Sequence, residues 1–480
     1  MTTLCVQKML LKHDESHKTQ YLAAISASLT FYIFGAYQGW TAPSLIKLLS
    51  DEYPIPITQD EASVVATIGS AGDVVGGFVG AYLADLIGRK TCIMCIGIPQ
   101  ILSPIFVYFS DYSKYLLYIA RIMGGIGEGS SIAIVGTYIA EIAVPKVRGV
   151  LGGSAIILIC IGMLTTNVVG SYMSIKDTAL LMAVFTIIFW ICFMFMPESP
   201  YYYLMKNKDE KAKHSLKILR RKFDVEAEFD QLSIFVQKQM AERGTFRDLF
   251  CVPINRQILI LVTLLRVFQF FTGYMALTSY IQLLIVQTTN LSPVFGSSLL
   301  IVTGIITMIL ALFYIDKTGR RTIFLVSMIL CFCALISMAV FLSVRDYTTA
   351  DLSSVSFMPL VFVIAYNIFY LGGLGIGVNI YIAEVYPSNI KAKGLAIASI
   401  VYAITLTTST KLYQYTTDYI GASVPFYIFA GSTVGGIAYI YFVIPETKGK
   451  TLEMIQHELR KSRKAVESER FEHEMYPLNK

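Results

Sequence analysis

The sequence is poor in charge and rich in apolar residues. Asp, Glu, Lys and Arg together make up 15% of its 480 residues, and hydrophobic residues make up 55%. A soluble domain carries about 25% charged residues and about 45–50% apolar ones. The composition therefore excludes a soluble enzyme, and it also excludes a single-span receptor with a large water-soluble domain.

Several kinds of site are excluded by how the scarce residues are distributed. The net charge is +6, but Lys and Arg cluster in short polar segments instead of along one basic face, so we expect no nucleic-acid partner. The eight cysteines lie mostly in apolar stretches, which predicts neither a disulfide framework nor a zinc site. We find no nucleophile–base set and no metal-ligand constellation in the sequence, so we expect no enzyme activity, metal or cofactor.

Long apolar runs are what the sequence has in abundance. In hydrocarbon only a helix satisfies every backbone polar group of a single crossing, so each run is predicted to be a transmembrane helix. The predicted spans are 21–41, 62–84, 91–109, 116–139, 150–173, 179–196, 257–287, 294–315, 322–344, 357–382, 393–415 and 424–444. The predicted fold class is an all-α membrane protein with twelve transmembrane helices in two six-helix halves.

Positive charge predicts which side of the membrane each polar segment faces. Lys and Arg are concentrated in residues 197–256 and in the turns after the second, fourth and eighth spans. By the positive-inside rule, these segments and both termini lie in the cytoplasm. The predicted division is an N-terminus (1–20), a first half (21–196), a helical linker (197–256), a second half (257–444) and a tail (445–480).

Three short motifs occur twice, in the same order and at corresponding places in the two halves. The pairs are Asp85-x-x-Gly-Arg-Lys with Asp316-x-x-Gly-Arg-Arg, Tyr138-Ile-Ala-Glu with Tyr381-Ile-Ala-Glu, and Pro197-Glu-Ser with Pro445-Glu-Thr. Parallel six-helix repeats are typical of secondary transporters, which hold their substrate near the midplane between the halves.

The repeated charges lie at the cytoplasmic ends of predicted helices. We interpret them as a latch that joins helix ends while the cavity faces outward and separates when it opens inward. The alternative is that they only set the topology, although topology requires no acidic residues. The candidate latch residues are Asp85, Arg89, Lys90, Glu141, Arg148, Asp316, Arg320, Arg321, Glu384 and Lys391.

With these motifs the chain resembles the sugar porters of the major facilitator superfamily over residues 20–460. The matching stretches are GAYLADLIGRK (80–90), RIMGGIGEG (121–129), YIAEIAVPKVRG (138–149), PESPYYYL (197–204), DKTGRR (316–321) and PETKGKTLEMI (445–455). Among sugar porters it is similar to the insect facilitated trehalose transporter-like group and to the facilitative glucose transporters. The resemblance implies a twelve-helix, alternating-access carrier with a short cytoplasmic helical domain between its halves.

Departures from the family pattern concern the residues that bind the sugar. The resemblance implies two glutamines in the seventh span, of which this chain keeps the first, and a Gly-Pro-x-Pro-Trp stretch in the tenth span, where it has Gly375 to Asn379. Glucose is therefore not expected to be the best substrate. Each remaining polar candidate either contacts substrate or bridges two helices. The candidates are Gln38, Asn167, Gln269, Thr272, Tyr280, Tyr370, Asn379 and Tyr402.

Energy coupling is left open by the sequence. Tyr37 stands where proton-coupled sugar porters carry Asp, which favours a uniporter. Asp73, Glu128 and Arg266 nevertheless lie inside predicted spans, where ionisable residues are costly. Three interpretations are open. Arg266 pairs with a carboxylate in an ion pair that breaks during transport, Asp73 or Glu128 carries a proton, or these residues are buried polar groups satisfied by their neighbours.

The sequence thus predicts a plasma-membrane carrier that moves a sugar, trehalose-like or another small saccharide or polyol, by facilitated diffusion. The alternatives are a proton-coupled sugar symporter and a sugar-binding membrane sensor with little transport. Asn290 begins an Asn-Leu-Ser glycosylation sequon in a predicted outward loop. Besides its substrate and the membrane lipids, we expect no obligate partner.

Overall fold

The protein is a bundle of long helices. The computed structural model describes residues 17–51, 53–241, 244–315, 317–349, 353–387, 390–450 and 454, and the regular structure in these residues is helical throughout. This confirms the predicted all-α fold class.

The first half contains six spans. Its helices are α1 (Lys18–Leu48), α2 (Gln59–Thr67), α3 (Gly69–Ile87), α4 (Arg89–Tyr108), α5 (Lys114–Ile142), α6 (Pro145–Tyr172) and α7 (Ile175–Phe193). Local chemistry explains where several of them begin. The Thr58 hydroxyl and the Glu61 carboxylate form a capping box at the start of α2, and Gly88, at φ +103°, makes the sharp turn between α3 and α4.

Residues 197–252, which lie within the predicted linker (197–256), contain four short helices. They are α8 (Pro200–Met205), α9 (Asp209–Arg220), α10 (Glu226–Ala241) and α11 (Phe246–Cys251). Leu204, Leu216 and Phe229 belong to a small apolar cluster of their own, separate from the main core. The linker is therefore a folded unit against one end of the bundle.

The second half repeats the pattern with two of its spans interrupted. Its helices are α12 (Pro253–Phe270), α13 (Tyr274–Thr288), α14 (Pro293–Tyr314), α15 (Arg320–Tyr347), α16 (Met358–Tyr370), α17 (Ile376–Val385), α18 (Lys391–Tyr419) and α19 (Val424–Phe442). One span consists of α12 and α13, and another of α16 and α17 joined by a π-helix over Leu371–Gly375.

Ten helices in the described residues are long and apolar enough to cross a membrane. Helices α1 and α5, of 31 and 29 residues, complete the twelve predicted spans. Apart from the first span, whose helix ends at Leu48 instead of residue 41, the spans begin and end within about five residues of their predicted positions, because hydropathy sets the length of chain that a bilayer accepts.

Helices α3 and α5 approach each other closely in the first half. A Cβ atom on Gly129 would lie 1.9 Å from the Asp73 carbonyl oxygen, and one on Gly76 would lie 2.1 Å from the Ile126 carbonyl oxygen. Only glycine permits this contact, which is typical of membrane helices that pack through small residues. The contact holds Asp73 and Glu128 near each other in the middle of the half.

Candidate functional site

The repeated motifs form the same structure in both halves, at one end of the bundle that we call the motif end. In the first half, Arg89 Nε donates to both Glu141 carboxylate oxygens at 3.2 and 3.1 Å. Arg89 Nη1 forms an ion pair with Asp85 at 3.0 Å, and the Ser199 hydroxyl donates to Glu141. The three motifs of this half therefore meet around one buried guanidinium.

The second half has the matching arrangement. Arg320 Nη2 pairs with Glu384 Oε1 at 2.8 Å, and the Thr447 hydroxyl donates to Glu384 Oε2 at 2.6 Å. Arg320 Nη1 also donates to the Ile315 carbonyl at 3.0 Å, as Arg89 does to the Ala84 carbonyl at 3.0 Å. Asp316, the predicted counterpart of Asp85, lies outside the described residues.

A glutamate caps one helix of each half. Glu198 accepts from the backbone N–H groups of Lys90 and Ser199 at 2.9 and 2.8 Å, and Glu446 accepts from the backbone N–H groups of Arg320 and Arg321 at 2.8 and 3.1 Å. A carboxylate at a helix N-terminus is stabilised by the free N–H groups and the helix dipole. Burial raises the pKa of the Glu198 carboxyl, and these N–H groups oppose the rise.

Several of the candidate latch residues form contacts within their own half of the bundle. Arg89 and Glu141 join α4 to α5, and Arg320 and Glu384 join α15 to α17. The Arg148 side chain is exposed, and its guanidinium donates to the Ala143 carbonyl at 3.3 Å. Two other predicted latch residues, Lys90 and Lys391, are half-buried at the same end, and the Arg321 guanidinium donates to the Tyr441 carbonyl.

Hydrogen bonds between the two halves lie toward the end opposite the motif end. Asn167 Nδ2 of α6 donates to the Ser297 hydroxyl of α14 at 2.9 Å, and Gln282 Nε2 of α13 donates to Asn167 Oδ1 at 3.1 Å. Gln282 also donates to the Ser171 hydroxyl at 3.0 Å. We call Asn167, Ser171, Gln282 and Ser297 the outer seal, because they close this end of the interface with buried polar contacts.

A second set of contacts extends the seal along α2, α3 and α18. The Lys411 ammonium donates to the Asp60 carbonyl at 3.1 Å, and the Ser70 and Thr407 hydroxyls are 2.8 Å apart. At the motif end, by contrast, a Cβ on Gly149, Gly152 or Gly153 of α6 would meet nothing within 4 Å. The halves are thus joined at the outer end and leave open space beside α6 at the motif end.

The seventh predicted span is interrupted at Thr272 and Gly273. Gly273 has φ +88°, and a Cβ there would lie 2.3 Å from the Phe429 ring, so both the turn and the packing require glycine. The Thr272 hydroxyl donates to the Gln269 carbonyl at 2.7 Å, and the Tyr366 hydroxyl donates to the Thr272 hydroxyl at 2.9 Å. Side chains therefore satisfy the polar groups that the break exposes.

The tenth span is interrupted at the same depth. Its π-helix, Leu371–Gly375, ends at the residue where the proline-containing stretch that the family resemblance implies would begin. The Ser327 hydroxyl donates to the Phe369 carbonyl at 2.7 Å, and the Tyr314 hydroxyl donates to the Gly372 carbonyl at 2.5 Å. π-Helices often mark functional sites inside longer helices.

Arg266 connects the two interrupted spans. Its Nη1 donates to Gln269 Oε1 at 2.9 Å and its Nη2 to Asn379 Oδ1 at 2.6 Å. Gln269 Nε2 in turn donates to the Leu374 carbonyl of the π-helix at 2.9 Å. The ion pair between Arg266 and a carboxylate that the sequence suggests is not formed among the described residues, and neutral amides accept from the guanidinium instead.

Aromatic side chains surround this cluster. The Tyr370 ring stacks on Tyr274 at a centroid distance of 4.1 Å, and the Tyr402 ring meets Phe270 edge-on at 4.8 Å. Tyr402 is half-buried and Asn379 is exposed, whereas Tyr370 and Gln269 are buried. The groups that remain accessible beside the broken helices are thus Arg266, Asn379 and Tyr402.

Seven of the eight sequence-predicted substrate residues divide into two groups, and Gln38 lies apart from both, against Glu128 in the first half. Gln269, Thr272, Tyr370, Asn379 and Tyr402 lie around the interrupted spans. Asn167 and Tyr280 do not: Asn167 belongs to the outer seal, and the buried Tyr280 ring lies 5.4 Å from Tyr413 near the same end. Polar residues in a membrane helix have the same sequence signature whether they bridge helices or face a cavity.

Tyr37 and Arg121 form the centre of the first half. Arg121 Cζ lies 4.0 Å from the centroid of the Tyr37 ring, and the Tyr37 hydroxyl donates to the Arg121 carbonyl. The guanidinium donates to the carbonyls of Val65 and Tyr37 at 2.9 and 3.2 Å and to the Thr41 hydroxyl at 3.1 Å. A cation–π contact and neutral acceptors thus surround a buried cation, where an ion pair would otherwise be expected.

Asp73 and Glu128 lie beside this pair. Gln38 Nε2 donates to Glu128 Oε1 at 2.6 Å, so the candidate Gln38 bridges α1 to α5. Glu128 Oε2 and Asp73 Oδ1 are buried and have no hydrogen-bond partner in the part of the chain that the structure describes. The sequence interpretation in which neighbours satisfy these carboxylates therefore holds for one oxygen of Glu128 only.

Sequence reasoning missed several residues of these networks. Gln282, Ser297, Tyr274, Tyr366 and Gln100 all lie in apolar helices and were not selected. One signal was available, since Asn167 and Ser171 are four residues apart and share a helix face. Asn290, the predicted glycosylation site, is exposed in the loop between α13 and α14 at the outer end.

Comparison with curated proteins gives relatives over nearly the whole chain. Facilitated trehalose transporter Tret1 of Aedes aegypti is 27% identical over 454 residues, which is 92% of this chain and 55% of that protein. Trehalose transporter 1 of Drosophila melanogaster is 28% identical, with 92% of this chain and 52% of the relative covered. Tret1 of Bombyx mori is 26% identical, with 93% and 88% covered. The chain thus spans about half the length of the first two relatives.

Solved structures share the fold. The inward open conformation of the xylose transporter XylE from E. coli superposes with a TM-score of 0.75 at 18% identity, covering 90% of this chain and 98% of that one. The proton:xylose symporter XylE bound to 6-bromo-6-deoxy-D-glucose gives a TM-score of 0.70 at 18% identity, with 92% and 99% covered. Residues 11–459 match the family model described as sugar (and other) transporter. This multi-pass membrane protein has the major facilitator fold and belongs to that family of transporters.

Proposed function

We propose that this protein is a facilitative carrier that moves a small saccharide or polyol across the plasma membrane by alternating access. The observation that carries the proposal is the pair of interrupted spans whose breaks meet at Arg266, Gln269 and Asn379. Discontinuous helices at the midplane are where secondary transporters place their substrate sites. The motif end and both termini lie in the cytoplasm by the positive-inside rule.

A facilitative mechanism is supported by the surroundings of Arg121. In proton-coupled relatives, as the sequence resemblance implies, an Asp occupies the position of Tyr37, and a carboxylate can exchange a proton during the cycle. The Tyr37 phenol contacts Arg121 through its ring face instead. A phenol, with an ordinary pKa of about 10, does not release its proton at physiological pH.

The substrate proposed is trehalose or a saccharide of similar size. Support comes from relatives named as facilitated trehalose transporters. Of the amides that the resemblance assigns to hexose binding, this chain keeps Gln269, and both Gln269 and Asn379 already accept hydrogen bonds from Arg266. A site with fewer free amides leaves more sugar hydroxyls unpaired, and an unpaired buried polar group is costly. We therefore expect its preference among sugars to differ from that of the hexose-binding relatives.

Uptake of radiolabelled trehalose, glucose, fructose and inositol by oocytes tests the proposal, with surface expression measured in parallel. We expect saturable uptake of trehalose above that of glucose, unaffected by external pH between about 5.5 and 7.5, the range in which a proton gradient would be imposed across a plasma membrane. Surface-expressed protein that moves none of the four would contradict the carrier and favour a sugar-binding sensor.

A second candidate, proton-coupled symport, is favoured by one observation. Asp73 and Glu128 each have a buried carboxylate oxygen without a hydrogen-bond partner among the described residues. A symporter would show a substrate-evoked inward current that grows as the external pH falls, and Asp73→Asn would abolish it. Electrically silent uptake with an unaltered pH profile would contradict this candidate.

A further inference from the structure

We infer that a small cavity inside the first half, bounded by α1, α4, α5 and α7, is a binding site for one monovalent cation of the size of Na⁺. The cavity has a volume of about 10 Å³, which is room for a single water-sized group. Its polar lining comes from Gln100, Ser103 and Glu128, and the rest of the wall is apolar or aromatic.

The polar groups that face the cavity each present an oxygen, and the Gln100 amide donor is already engaged. Glu128 is 2% exposed and Gln100 is 3% exposed. Glu128 Oε2 and Gln100 Oε1 both lack a hydrogen-bond partner among the described residues. The Gln100 amide nitrogen donates to the Thr30 carbonyl at 3.3 Å and to the Ser131 hydroxyl at 3.4 Å. A carboxylate, an amide carbonyl and a hydroxyl are the oxygen ligands that hard cations prefer.

Charge balance supports a cation over a neutral water molecule. The Glu128 carboxylate receives one neutral hydrogen bond, from Gln38 at 2.6 Å. Arg121 donates to Val65, Tyr37 and Thr41 and forms no ion pair with Glu128. Asp73, Glu128 and Arg121 lie close together, so two carboxylates beside one guanidinium leave one negative charge unbalanced, which is costly in a membrane interior. One carboxylate among the ligands balances one positive charge, so a monovalent ion fits the site better than a divalent one.

The site also lies where a cation would affect the conformation of the first half. Gln38 and Tyr37 connect α1 to α5 next to the cavity, and Gln100 connects α4 to α1 and α5. A cation bound to Glu128 and Gln100 would hold these three helices together. The inference does not rest on the proposed function, because it concerns a site that lies away from Arg266 and Asn379.

Thermal unfolding of the purified full-length protein in detergent, without sugar, tests the site. NaCl is titrated against choline chloride at constant ionic strength and pH. We expect a saturable increase in Tm of about 2 °C or more with Na⁺, because a ligand that binds only the folded state stabilises it. Glu128→Gln removes the response, and Gln100→Leu raises the Na⁺ concentration needed for half of it at least tenfold.

Glu61→Gln is the matched control, since Glu61 is a half-buried carboxylate at the outer end that pairs with Lys114, and this variant should keep the full Na⁺ response. Should Glu128→Gln fail to fold, the affinity for ²²Na⁺ is measured on the unmodified protein and on Gln100→Leu. The inference then requires that the unmodified protein bind ²²Na⁺ and that Gln100→Leu bind it at least tenfold more weakly. A Tm that is equal in Na⁺ and choline overturns the inference. So does a Tm that follows pH alone, which would assign the site to a proton.

Discussion

The Tyr37 ring lies directly against the Arg121 guanidinium, with 4.0 Å between Cζ and the ring centroid. The fit is tight, because a Cβ on Gly124 would lie 1.8 Å from the same ring. The phenol thus occupies the space in which a carboxylate partner would otherwise balance the buried cation. This relationship makes the centre of the first half a cation–π site, and it leads to the first prediction.

Replacing Tyr37 should cost stability in two separable steps. Tyr37→Phe keeps the ring and loses one hydrogen bond, which is worth about 1 kcal/mol. Tyr37→Leu also loses the cation–π contact and should cost about 2 kcal/mol more. Melting temperatures of the purified variants in detergent measure both. Equal losses in the two variants would show that the ring face contributes nothing to stability.

The close contact between α3 and α5 predicts a steric effect. Gly129→Ala places a methyl group 1.9 Å from the Asp73 carbonyl oxygen, so the two helices must separate and little folded protein should reach the cell surface. The control is Gly152→Ala, whose added Cβ meets nothing within 4 Å. Surface biotinylation compares them, and equal surface levels would contradict the predicted contact.

Arg266 should be required for the shape of the substrate site. Lysine keeps the charge but cannot bridge Gln269 and Asn379 with the geometry of a planar guanidinium. We therefore expect Arg266→Lys to lower kcat/KM for uptake at least tenfold, nearly as much as Arg266→Gln. Saturation curves for the surface-expressed variants measure this. Full activity of Arg266→Lys would mean that the charge alone matters.

The outer seal predicts a shift in the conformational equilibrium. Gln282→Leu removes hydrogen bonds to Asn167 and Ser171 that join the halves, and one to Ser297 within its own half, so outward opening should become easier. A cysteine is placed at Asn379 in a background without other reactive cysteines. It should then react at least about threefold faster with a membrane-impermeant thiol reagent added outside, because a threefold shift in population corresponds to about 0.6 kcal/mol less stabilisation of the outward-closed state. Gln287→Leu, at an exposed position on α13, is the control and should leave the rate unchanged.

The motif-end ion pairs are proposed to hold the helix ends during the transport cycle. Glu384→Gln removes the charge that pairs with Arg320, so uptake should fall severalfold while surface expression is kept. Glu141→Gln should do the same through Arg89 in the first half. Initial uptake rates normalised to surface protein measure the effect. Unaltered kinetics in both variants would leave these residues with a topological role only.

Some of these relationships could be read from the sequence and others could not. The spans, the internal repeat and the set of charged residues at the motif end follow from hydropathy and from motifs that recur in order. The partners of Arg266 could not be predicted, since Asn379 lies on a different span and approaches only because the tenth span forms a π-helix. The sequence predicts Asn167 as a substrate residue, whereas the structure places it in the outer seal. Nothing in its own helix shows which neighbouring helix it meets.

The sequence by itself determined that the chain crosses a membrane twelve times, that its halves are related, and which charges form the motif end. Composition and hydropathy suffice for this, because the bilayer acts on each helix separately. Only the tertiary structure decided which polar side chains seal the halves, which surround the interrupted spans, and which carboxylate oxygens have no partner. Those outcomes depend on how helices that are far apart in the sequence approach one another in the fold, and a local sequence pattern does not determine that approach.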